Sequence, residues 1–349
     1  MLYVIPIEPL EERYSEQWLR WTKAYLKKTC LRKDYRVINP PAYKSISRGA
    51  FLDVVNTNVY KNAQLKIILG MFQKNQVKDG DIFWFHDMWF PGLEMLAYIR
   101  DALGLKIKIY GMLHAGTYDP NDFLTQKGMR GWGHYLEASW FKIVNGVFVA
   151  TNFHKQFIMN GSTYSQPNRI HVTGFPMYAE EFALPQNAYD ERDKIIVFPH
   201  RLDSEKQPDL FDEFKQELLE KCLWARDYAF IKTKDVCHTK EEYYALLRRA
   251  EYAVSFALQE TWGIAIQEAV LCGCIPVVPN RLSYSEMYCD IFKYDGSRPF
   301  NDAVLAAQCL DDIARHPGTA TVYVCPNRRK LRSQGEAAFS NMMRIMGVI

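Results

Sequence analysis

The chain has 349 residues, of which 48% are hydrophobic, 24% are charged and 14% are aromatic, and its formal net charge is +3. This length fits two domains of about 150 residues each, the composition excludes a largely disordered chain, and the small net charge does not by itself indicate a nucleic-acid partner. No apolar run reaches the roughly 18 residues of a membrane span, and residues 1–18 do not resemble a secretion signal, so we expect a cytoplasmic protein with no transmembrane segment.

The first half of the chain alternates short apolar runs with longer amphipathic segments. The runs predict buried strands at residues 2–7, 81–86, 106–113 and 146–151. The segments between them predict helices at 15–28, 92–103 and 152–159. This alternation predicts a parallel sheet covered by helices on both faces. The D-G-D triplet at 79–81 precedes its strand, so we interpret it as a turn and not as a metal site.

The alternation restarts after a polar, proline-containing segment at 179–194, which we interpret as a linker. Further strands are predicted at 195–200, 228–233, 252–256, 274–279 and 291–294. We therefore expect an α/β protein whose two doubly wound domains face each other across a cleft. Their predicted limits are 1–178 and 195–325, and a C-terminal helix at 326–349 is expected to return toward the first domain. In such sheets, ligands bind at the carboxyl ends of the strands.

Cysteine spacing does not indicate a metal site. The eight cysteines form no paired C-x-x-C arrangement with zinc-ligand spacing, so we expect most of them to be reduced and buried. They are Cys30, Cys222, Cys237, Cys272, Cys274, Cys289, Cys309 and Cys325.

The segment Q-E-T-W-G-I-A-I-Q-E at 259–268 carries two acids, Glu260 and Glu268, on either side of an apolar run. It follows a predicted strand, and Gly263 is expected to open the next helix. The N-terminus of a helix favours a phosphate or a sugar hydroxyl, and a glycine there lets the ligand approach the backbone. The two acids can thus contact different parts of one extended ligand, although a helix can also carry acids at this spacing as a solvated face.

This segment resembles the E-x7-E motif of retaining glycosyltransferases with the GT-B fold of two Rossmann-like domains, the glycosyltransferase family 4-like enzymes. The resemblance implies that Glu268 holds the ribose hydroxyls of a nucleotide sugar and that Glu260 lies beside the donor sugar. It also implies that Trp262, Gly263 and Ile264 line the donor site.

Other segments match the same family in the same order. The stretch 198–211, F-P-H-R-L-D-S-E-K-Q-P-D-L-F, is similar to the segment whose arginine and lysine neutralise the donor diphosphate, which implies this role for Arg201 and Lys206. Fixed cations stabilise a departing diphosphate more in the transition state than before it. The stretch 272–288 resembles the G-x-x-P-V-V strand and the loop after it, so the resemblance covers about residues 195 to 295 strongly.

The first domain departs from the family pattern, because P-I-E-P-L-E-E-R-Y replaces a glycine-rich loop after the first strand. We expect Glu8, Arg13 and Tyr14 in that space. The segment 111–123 resembles the family's strand-to-histidine segment, which implies that His114 approaches the donor hexose; a histidine bonded within a loop is the alternative. His86 and Asp87 follow another strand and are candidates to orient an acceptor hydroxyl, or to cap the next helix.

The resemblance implies a retaining transfer in which Glu260, His114, Arg201 and Lys206 act on the donor. It implies a UDP-sugar as the co-substrate, front-face attack on the sugar, no tightly bound cofactor and no essential metal. The leaving phosphate would take the proton of the acceptor hydroxyl.

The start of the chain and the P-H-R-L and L-S-Y segments resemble phage-encoded glycosyltransferases, and the second half also resembles the eukaryotic tRNA-queuosine mannosyltransferases. Both groups glycosylate modified bases, so we expect a hydroxymethylpyrimidine in duplex DNA as the acceptor, in the host cytoplasm if the protein is phage-encoded. Basic residues of the first domain and Arg328, Arg329, Lys330 and Arg332 would meet the phosphates.

Three alternatives stay open at this point. The acceptor could be a glycan, a lipid or a tRNA base. The protein could instead be a GT-B-fold epimerase or a nucleotide-sugar binder, although such a protein need not keep Glu260, Arg201 and Lys206 together. The helix at 15–28, with Trp18, Trp21 and Tyr25 near helical spacing, could contact a membrane instead of packing into a core.

Overall fold

The computed structural model describes residues 1–10, 13–29, 33–41, 53–161, 167–184 and 192–349, without the side chains of 319–321. Cys30 and residues 185–191 of the predicted linker lie outside these ranges. The chain divides into two compact units: unit 1 comprises Met1–Pro176 and Ala337–Ile349, and unit 2 comprises Met177–Glu336.

Unit 1 contains a six-stranded parallel sheet in the order β2-β1-β3-β4-β5-β6. Its central strands are buried along most of their length, as expected when helices cover both faces of a sheet. The strand predicted at 2–7 ends at Ile5 because Pro6 has no N–H to donate to a neighbour. The strands are β1 Leu2–Ile5, β2 Tyr35–Val37, β3 Ile82–Phe85, β4 Lys108–Met112, β5 Gly146–Val149 and β6 Ile170–Val172.

The helices of unit 1 pack against this sheet, and they are α1 Tyr14–Lys28, α2 Val54–Gln73, α3 Leu93–Ala102, α4 Phe123–Gln126, α5 Arg130–Ile143 and α6 Asn152–Gly161. Trp18 and Trp21 of α1 are buried, and Tyr25 stacks on Phe339 with ring centroids 4.9 Å apart. The membrane-contacting alternative for this helix is therefore wrong, because its aromatic residues pack inside unit 1. Within the described ranges, no helix is both long and apolar enough to cross a membrane.

Unit 2 contains a five-stranded parallel sheet in the order β11-β10-β9-β7-β8. The strands are β7 Asp193–Phe198, β8 Ala229–Lys232, β9 Ala250–Val254, β10 Ile275–Pro279 and β11 Lys293–Tyr294. The helices are α7 Pro208–Lys221, α8 Thr233–Val236, α9 Lys240–Arg249, α10 Ile264–Leu271, α11 Tyr284–Met287, α12 Asp302–Arg315 and α13 Pro317–Met346.

The C-terminal helix differs from its prediction. It was expected at 326–349, but α13 begins at Pro317 and continues through Pro326, and the boundary between the two units falls inside it. A proline within a helix removes one backbone hydrogen bond, which is why the sequence predicts a helix start there. The described cysteines are all free; Cys222, Cys272 and Cys274 are buried and the other four are half-buried, so fewer are buried than expected.

In both sheets, the strand order reverses at the first strand, and we call this topological switch point the chain reversal. In unit 1, β1 lies between β2 and β3, and in unit 2, β7 lies between β8 and β9. The connections leave in opposite directions on either side of that strand, so the loops at its carboxyl end separate and leave room for a ligand. The loops after β1 and β3, and those after β7 and β9, are therefore the places to look for a site.

Candidate functional site

In unit 2, two loops meet at the carboxyl ends of β7 and β9. The first loop, 199–207, follows β7, and the second loop, 255–263, follows β9. The backbone N–H of Leu258 in the second loop donates to the carbonyl of Glu205 in the first at 2.8 Å. This contact holds together two segments that are more than 50 positions apart in the sequence.

The carboxylate of Glu260 is bonded at both oxygens. Lys206 Nζ lies 2.9 Å from Glu260 Oε1 and also donates to the carbonyl of Gln259, while the N–H of Gly263 donates to Glu260 Oε2 at 3.1 Å. The Lys206 side chain is 7% exposed and that of Glu260 is 14% exposed. Burial raises the pKa of Glu260, but the charge of Lys206 and contacts with His200 outweigh burial and lower it, so Glu260 is ionised at neutral pH.

Gly263 lets the second loop turn into α10. Its φ of 70° is in the left-handed region, and a Cβ at this position would lie 2.5 Å from Cε1 of Tyr284. The helix begins directly afterwards at Ile264, which is half-buried, and Trp262 before it is buried. The first N–H groups of α10 have no carbonyl partner within the helix, so this end suits a phosphate or a hydroxyl.

Glu268 is held by α9 and not by the two loops. Its side chain is 4% exposed, and Oε1 accepts hydrogen bonds from Tyr244 Oη at 2.7 Å and from Lys240 Nζ at 3.3 Å. The ammonium of Lys240 also lies over the rings of Tyr243 and Tyr244, 5.2 and 5.3 Å from their centroids. These contacts fix one oxygen of the carboxylate in place.

Arg201 pairs with acids of its own loop. Its guanidinium lies 2.6 Å from Asp203 Oδ2 and 3.1 Å from Glu205 Oε1, and its side chain is 38% exposed. Because Lys206 is paired with Glu260, the positive charge of the first loop is already shared with three carboxylates. Arg201 is the more exposed of the two cations, and surface pairs of this kind exchange partners at little cost.

His200 was not predicted as a site residue, yet it lies beside Glu260. It is buried, its Nε2 is 2.8 Å from Ser255 Oγ, and its Nδ1 is 3.8 Å from Glu260 Oε1. Burial lowers the pKa of His200 to about 3, although Glu260 opposes this, so the ring is neutral at physiological pH. The only sequence signal is its position directly after a buried strand, in P-H-R.

Lys240 and Tyr244 were also missed. A capping box between Thr239 and Glu242 fixes the start of α9, and T-x-x-E at 239–242 is visible in the sequence. This signal places Lys240 and Tyr244 one turn apart on one helical face. It does not show that α10 lies opposite that face.

In unit 1, Glu8 follows β1 and is buried. Its Oε2 accepts a hydrogen bond from Thr57 Oγ1 at 3.1 Å and its backbone carbonyl accepts one from Ser15 Oγ at 2.7 Å. Within the described ranges, Glu8 Oε1 has no hydrogen-bond partner. Burial and the nearby charge of Glu8 raise the pKa of Tyr60.

His86 and His114 belong to one aromatic cluster in unit 1. His86 is buried and stacks on Trp18 with centroids 4.1 Å apart, and its carbonyl is 2.7 Å from His114 Nε2. The half-buried ring of His114 lies 5.8 Å from Tyr14 and 5.9 Å from Phe175. Burial lowers the pKa of both histidines; the proximity of His114 lowers that of His86 further, while Asp87 opposes the effect at His114. Both rings are therefore neutral at physiological pH.

The structure thus brings some predicted residues together and not others. Tyr14, His86 and His114 share the aromatic cluster, whereas Asp87 binds Lys61 at 3.0 Å and the N–H of Trp89 at 3.0 Å. Arg13 stands directly before α1. In unit 2, Arg201, Lys206, Glu260, Trp262, Gly263 and Ile264 lie in the two loops and at the start of α10, and Glu268 lies about one turn further along that helix. In the part of the chain that the structure describes, no group of three or more His, Cys, Asp or Glu could hold a metal ion.

Comparison with known proteins gives curated relatives and many structural neighbours. No family model matches the chain. The tRNA-queuosine alpha-mannosyltransferase of Drosophila melanogaster is 27% identical over 148 residues, which are 34% of this chain and 39% of that protein. The chain therefore matches well under half the length of this relative.

The solved structures match over nearly the whole chain. Sucrose-phosphate synthase from Thermosynechococcus elongatus has a TM-score of 0.68 at 11% identity and covers 99% of this chain and 96% of its own. A UDP-forming alpha,alpha-trehalose-phosphate synthase from Burkholderia xenovorans has a TM-score of 0.64 at 14% identity and covers 99% and 98%. These neighbours are GT-B glycosyltransferases, so the expected α/β fold with two parallel Rossmann-like sheets is confirmed. The relative and the neighbours belong to the enzyme class predicted from the sequence, the glycosyltransferases.

Proposed function

We propose that this protein is a retaining glycosyltransferase that moves a sugar from a nucleoside diphosphate donor to a hydroxyl acceptor. One observation carries the proposal: Glu260 and Glu268 flank the start of α10 at the chain reversal of unit 2, and Glu260 is paired with Lys206 from the neighbouring loop. The GT-B fold and the glycosyltransferases that share it support the same activity.

We assign the donor to this site, with Glu268 binding the ribose hydroxyls. Tyr244 and Lys240 donate to Glu268 Oε1, and we assign Oε2 to accept a ligand hydroxyl. The free N–H groups at the start of α10 suit the diphosphate. A UDP-sugar is the proposed donor, because the similar trehalose-phosphate synthase is UDP-forming.

We propose front-face attack without a covalent intermediate, as the resemblance to the retaining GT-B enzymes implies. Lys206 donates to one oxygen of Glu260 and the N–H of Gly263 donates to the other, which keeps the carboxylate ionised and fixed in place. Glu260 is therefore assigned to stabilising the positive charge that develops on the sugar. The bond between the anomeric carbon and the phosphate oxygen breaks as the bond to the acceptor oxygen forms, and the acceptor proton passes to the leaving phosphate.

The cations act on the leaving group in this proposal. Arg201 turns from Asp203 and Glu205 toward the diphosphate, and the third N–H of Lys206 donates to it while the other two hold Glu260 and Gln259. His114 stays the proposed hexose contact from unit 1, and Glu8, Arg13, Tyr14, His86 and Asp87 stay acceptor-side proposals. His86 is buried beneath Trp18, so its proposed effect passes through its carbonyl to His114.

Replacing Glu268 with Gln is expected to weaken the binding of UDP by about tenfold, because charge-assisted hydrogen bonds to the ribose become neutral ones of about half the strength. Isothermal titration calorimetry measures this affinity. Glu241→Gln, on the exposed side of α9, is the matched control and should bind UDP as the wild type does. Unchanged affinity in Glu268→Gln would remove this residue from the donor site.

For the acceptor, we propose a hydroxyl on a modified nucleic-acid base. The sequence resemblance favours hydroxymethylpyrimidine in DNA, whereas the name of the similar Drosophila enzyme favours a tRNA base. Of the four basic residues proposed to meet phosphates, Arg329 and Lys330 are exposed, Arg332 is half-buried, and Arg328 is only 8% exposed. Arg329 and Lys330 are therefore the residues that a nucleic acid could reach first.

The acceptor is identified by incubating the protein with a panel of UDP- and GDP-sugars and with hydroxymethylated DNA, plain DNA, tRNA, a glycan and a lipid acceptor. Mass spectrometry of each acceptor then shows which one gains a hexose. Gain on a glycan or lipid alone would overturn the base proposal and leave the transferase proposal standing. Conversion of the nucleotide sugar to an isomer, with no acceptor modified, would show an epimerase instead.

A further inference from the structure

We propose that Tyr284, Ser255 and His200 form a directed hydrogen-bond chain that positions the Glu260 carboxylate, with His200 presenting its Nδ1–H to that carboxylate. The proposal rests on the proposed function of Glu260 beside the donor sugar. None of the three residues is expected to touch the donor, so they act as positioning residues.

The chain is continuous and buried. Tyr284 Oη lies 3.1 Å from Ser255 Oγ, and Ser255 Oγ lies 2.8 Å from His200 Nε2. All three residues are buried, and His200 Nδ1 is 3.8 Å from Glu260 Oε1. That last distance is longer than a hydrogen bond, so in this structure the contact is one between a dipole and a charge.

The donors available to Ser255 decide the direction of the chain. The backbone N–H of Ala257 donates to Ser255 Oγ at 3.3 Å, and a backbone N–H can only donate. If Tyr284 also donates to Ser255 Oγ, the hydroxyl proton of Ser255 is left for His200 Nε2. The ring proton then sits on Nδ1, which faces the carboxylate of Glu260.

The opposite direction is less favourable. His200 would donate from Nε2 to Ser255, and Ser255 would donate to Tyr284. Among the described residues, Ser255 is the hydrogen-bond partner of Tyr284 Oη, so the proton of Tyr284 would then have no acceptor there. An unpaired buried donor is costly, and the lone pair of Nδ1 would face an ionised carboxylate. The favoured direction is therefore the one in which the Nδ1–H of His200 faces Glu260.

The titratable groups around Glu260 come from two parts of unit 2. Lys206, Arg201 and His200 face it from the loop after β7, and Tyr284 and Tyr288 face it from α11 and the residue after it. The pKa values of both tyrosines are raised by burial and by Glu260, so they keep their protons at neutral pH. Lys206 fixes the charge of Glu260, and the chain adds a neutral donor on a second side of the same oxygen.

Tyr284→Phe removes only the hydroxyl that starts the chain and keeps the ring that packs on Gly263. We expect kcat to fall about tenfold, because the His200 ring is no longer held with its Nδ1–H toward the Glu260 carboxylate, with the affinity for UDP unchanged. The acid limb of the pH profile of kcat/KM should move up by about half to one pH unit, because the ionised form of Glu260 is less favoured. A purely structural role would not move this limb while leaving UDP affinity unchanged.

Two matched controls test whether any tyrosine in this region has the same effect. Tyr288→Phe removes a buried hydroxyl that has no hydrogen-bond partner among the described residues, so it should leave the profile unchanged. Tyr294→Phe removes a hydrogen bond of 2.8 Å to the backbone carbonyl of Ser255, so it should lower thermal stability and leave the acid limb in place. A wild-type profile in Tyr284→Phe, or the same shift in Tyr288→Phe, would overturn the proposal.

Nitrogen NMR of histidine-labelled protein tests the chain without any enzymatic activity. His200→Gln identifies the signal of His200 among the eight histidines. We expect a neutral ring with the proton on Nδ1 that does not titrate between about pH 5 and 8, because its pKa is about 3. A proton on Nε2 would overturn the chain even if the enzyme is a glycosyltransferase. If the proton is on Nδ1 but the protein is active on no donor, the hydrogen-bond chain is supported and the proposed function is refuted.

Discussion

Glu260→Gln is expected to lower sugar transfer by about 10² to 10³-fold with little change in the affinity for UDP. A carboxylate that faces a developing positive charge contributes to the transition state more than to the bound donor, and removing one such electrostatic group costs about this much in kcat. Steady-state kinetics with the active donor and acceptor give kcat, and calorimetry gives the affinity for UDP.

The same substitution removes the partner of Lys206 and is expected to lower the free energy of unfolding. Removing one partner of a buried ion pair lowers the free energy of unfolding by about 3 to 5 kcal/mol. Glu260 is partly exposed, so we expect a loss at or below the lower end of that range. The double variant Lys206→Met/Glu260→Gln should recover much of the stability in urea unfolding but none of the transfer. Recovery of transfer in the double variant, or full transfer in Glu260→Gln, would show that Glu260 acts only as the partner of Lys206.

Arg201→Ala and Lys206→Ala should each lower turnover by about 10² while changing the affinity for the donor much less. The charge on the leaving diphosphate grows as the bond to the sugar breaks, so a cation beside it contributes most at that moment. We expect the KM of Arg201→Ala to change less than its kcat. Arg201 has to break its contacts with Asp203 and Glu205 to reach the donor, and this cost offsets part of what it contributes to donor binding.

Lys194→Ala is the control for the loss of one positive charge in unit 2. Lys194 lies on β7, is exposed, and pairs with Asp227 at 2.8 Å outside the two loops. Its removal should leave both kcat and KM unchanged. Wild-type turnover in both loop variants would refute the assignment of Arg201 and Lys206 to the leaving group.

The fold was largely predictable because strands covered on both faces are nearly continuous apolar runs. The segments around Phe83, Val147 and Val277 show this pattern, and each lies in a strand. The strands Tyr35–Val37 and Ile170–Val172 were not predicted, since three residues with a polar residue in the middle are too short to show a period.

The candidate donor site was predictable only in part. Strand ends indicated the two loops, because the carboxyl ends of parallel strands meet at one edge of a sheet, and the resemblance to the GT-B enzymes implied the roles of Glu260, Glu268, Arg201 and Lys206. The ion pair between Lys206 and Glu260 joins residues 54 positions apart, and its existence depends on how two loops pack.

The side chains behind that site could not be predicted for a related reason. His200 and Tyr244 bond to partners from distant parts of the chain, namely Ser255 and Glu268. The burial of His86 likewise depends on Trp18, which α1 places over it. A linear pattern records the residue types but not these partners.

The composition of unit 1 has a consequence for the order in which the chain folds during its synthesis. Residues 337–349 belong to unit 1, where Phe339 is fully buried against Tyr25 and Asn341 donates to the carbonyl of Thr173 at 3.3 Å. Domains usually fold as they leave the ribosome, with the N-terminal one first. Here the unit that is synthesised first lacks its last packed segment until unit 2 has been made, so the whole of unit 2 can complete its core before unit 1 completes its own. The apolar surface of unit 1 that Phe339 covers therefore stays exposed to water until the last residues of that unit have been made.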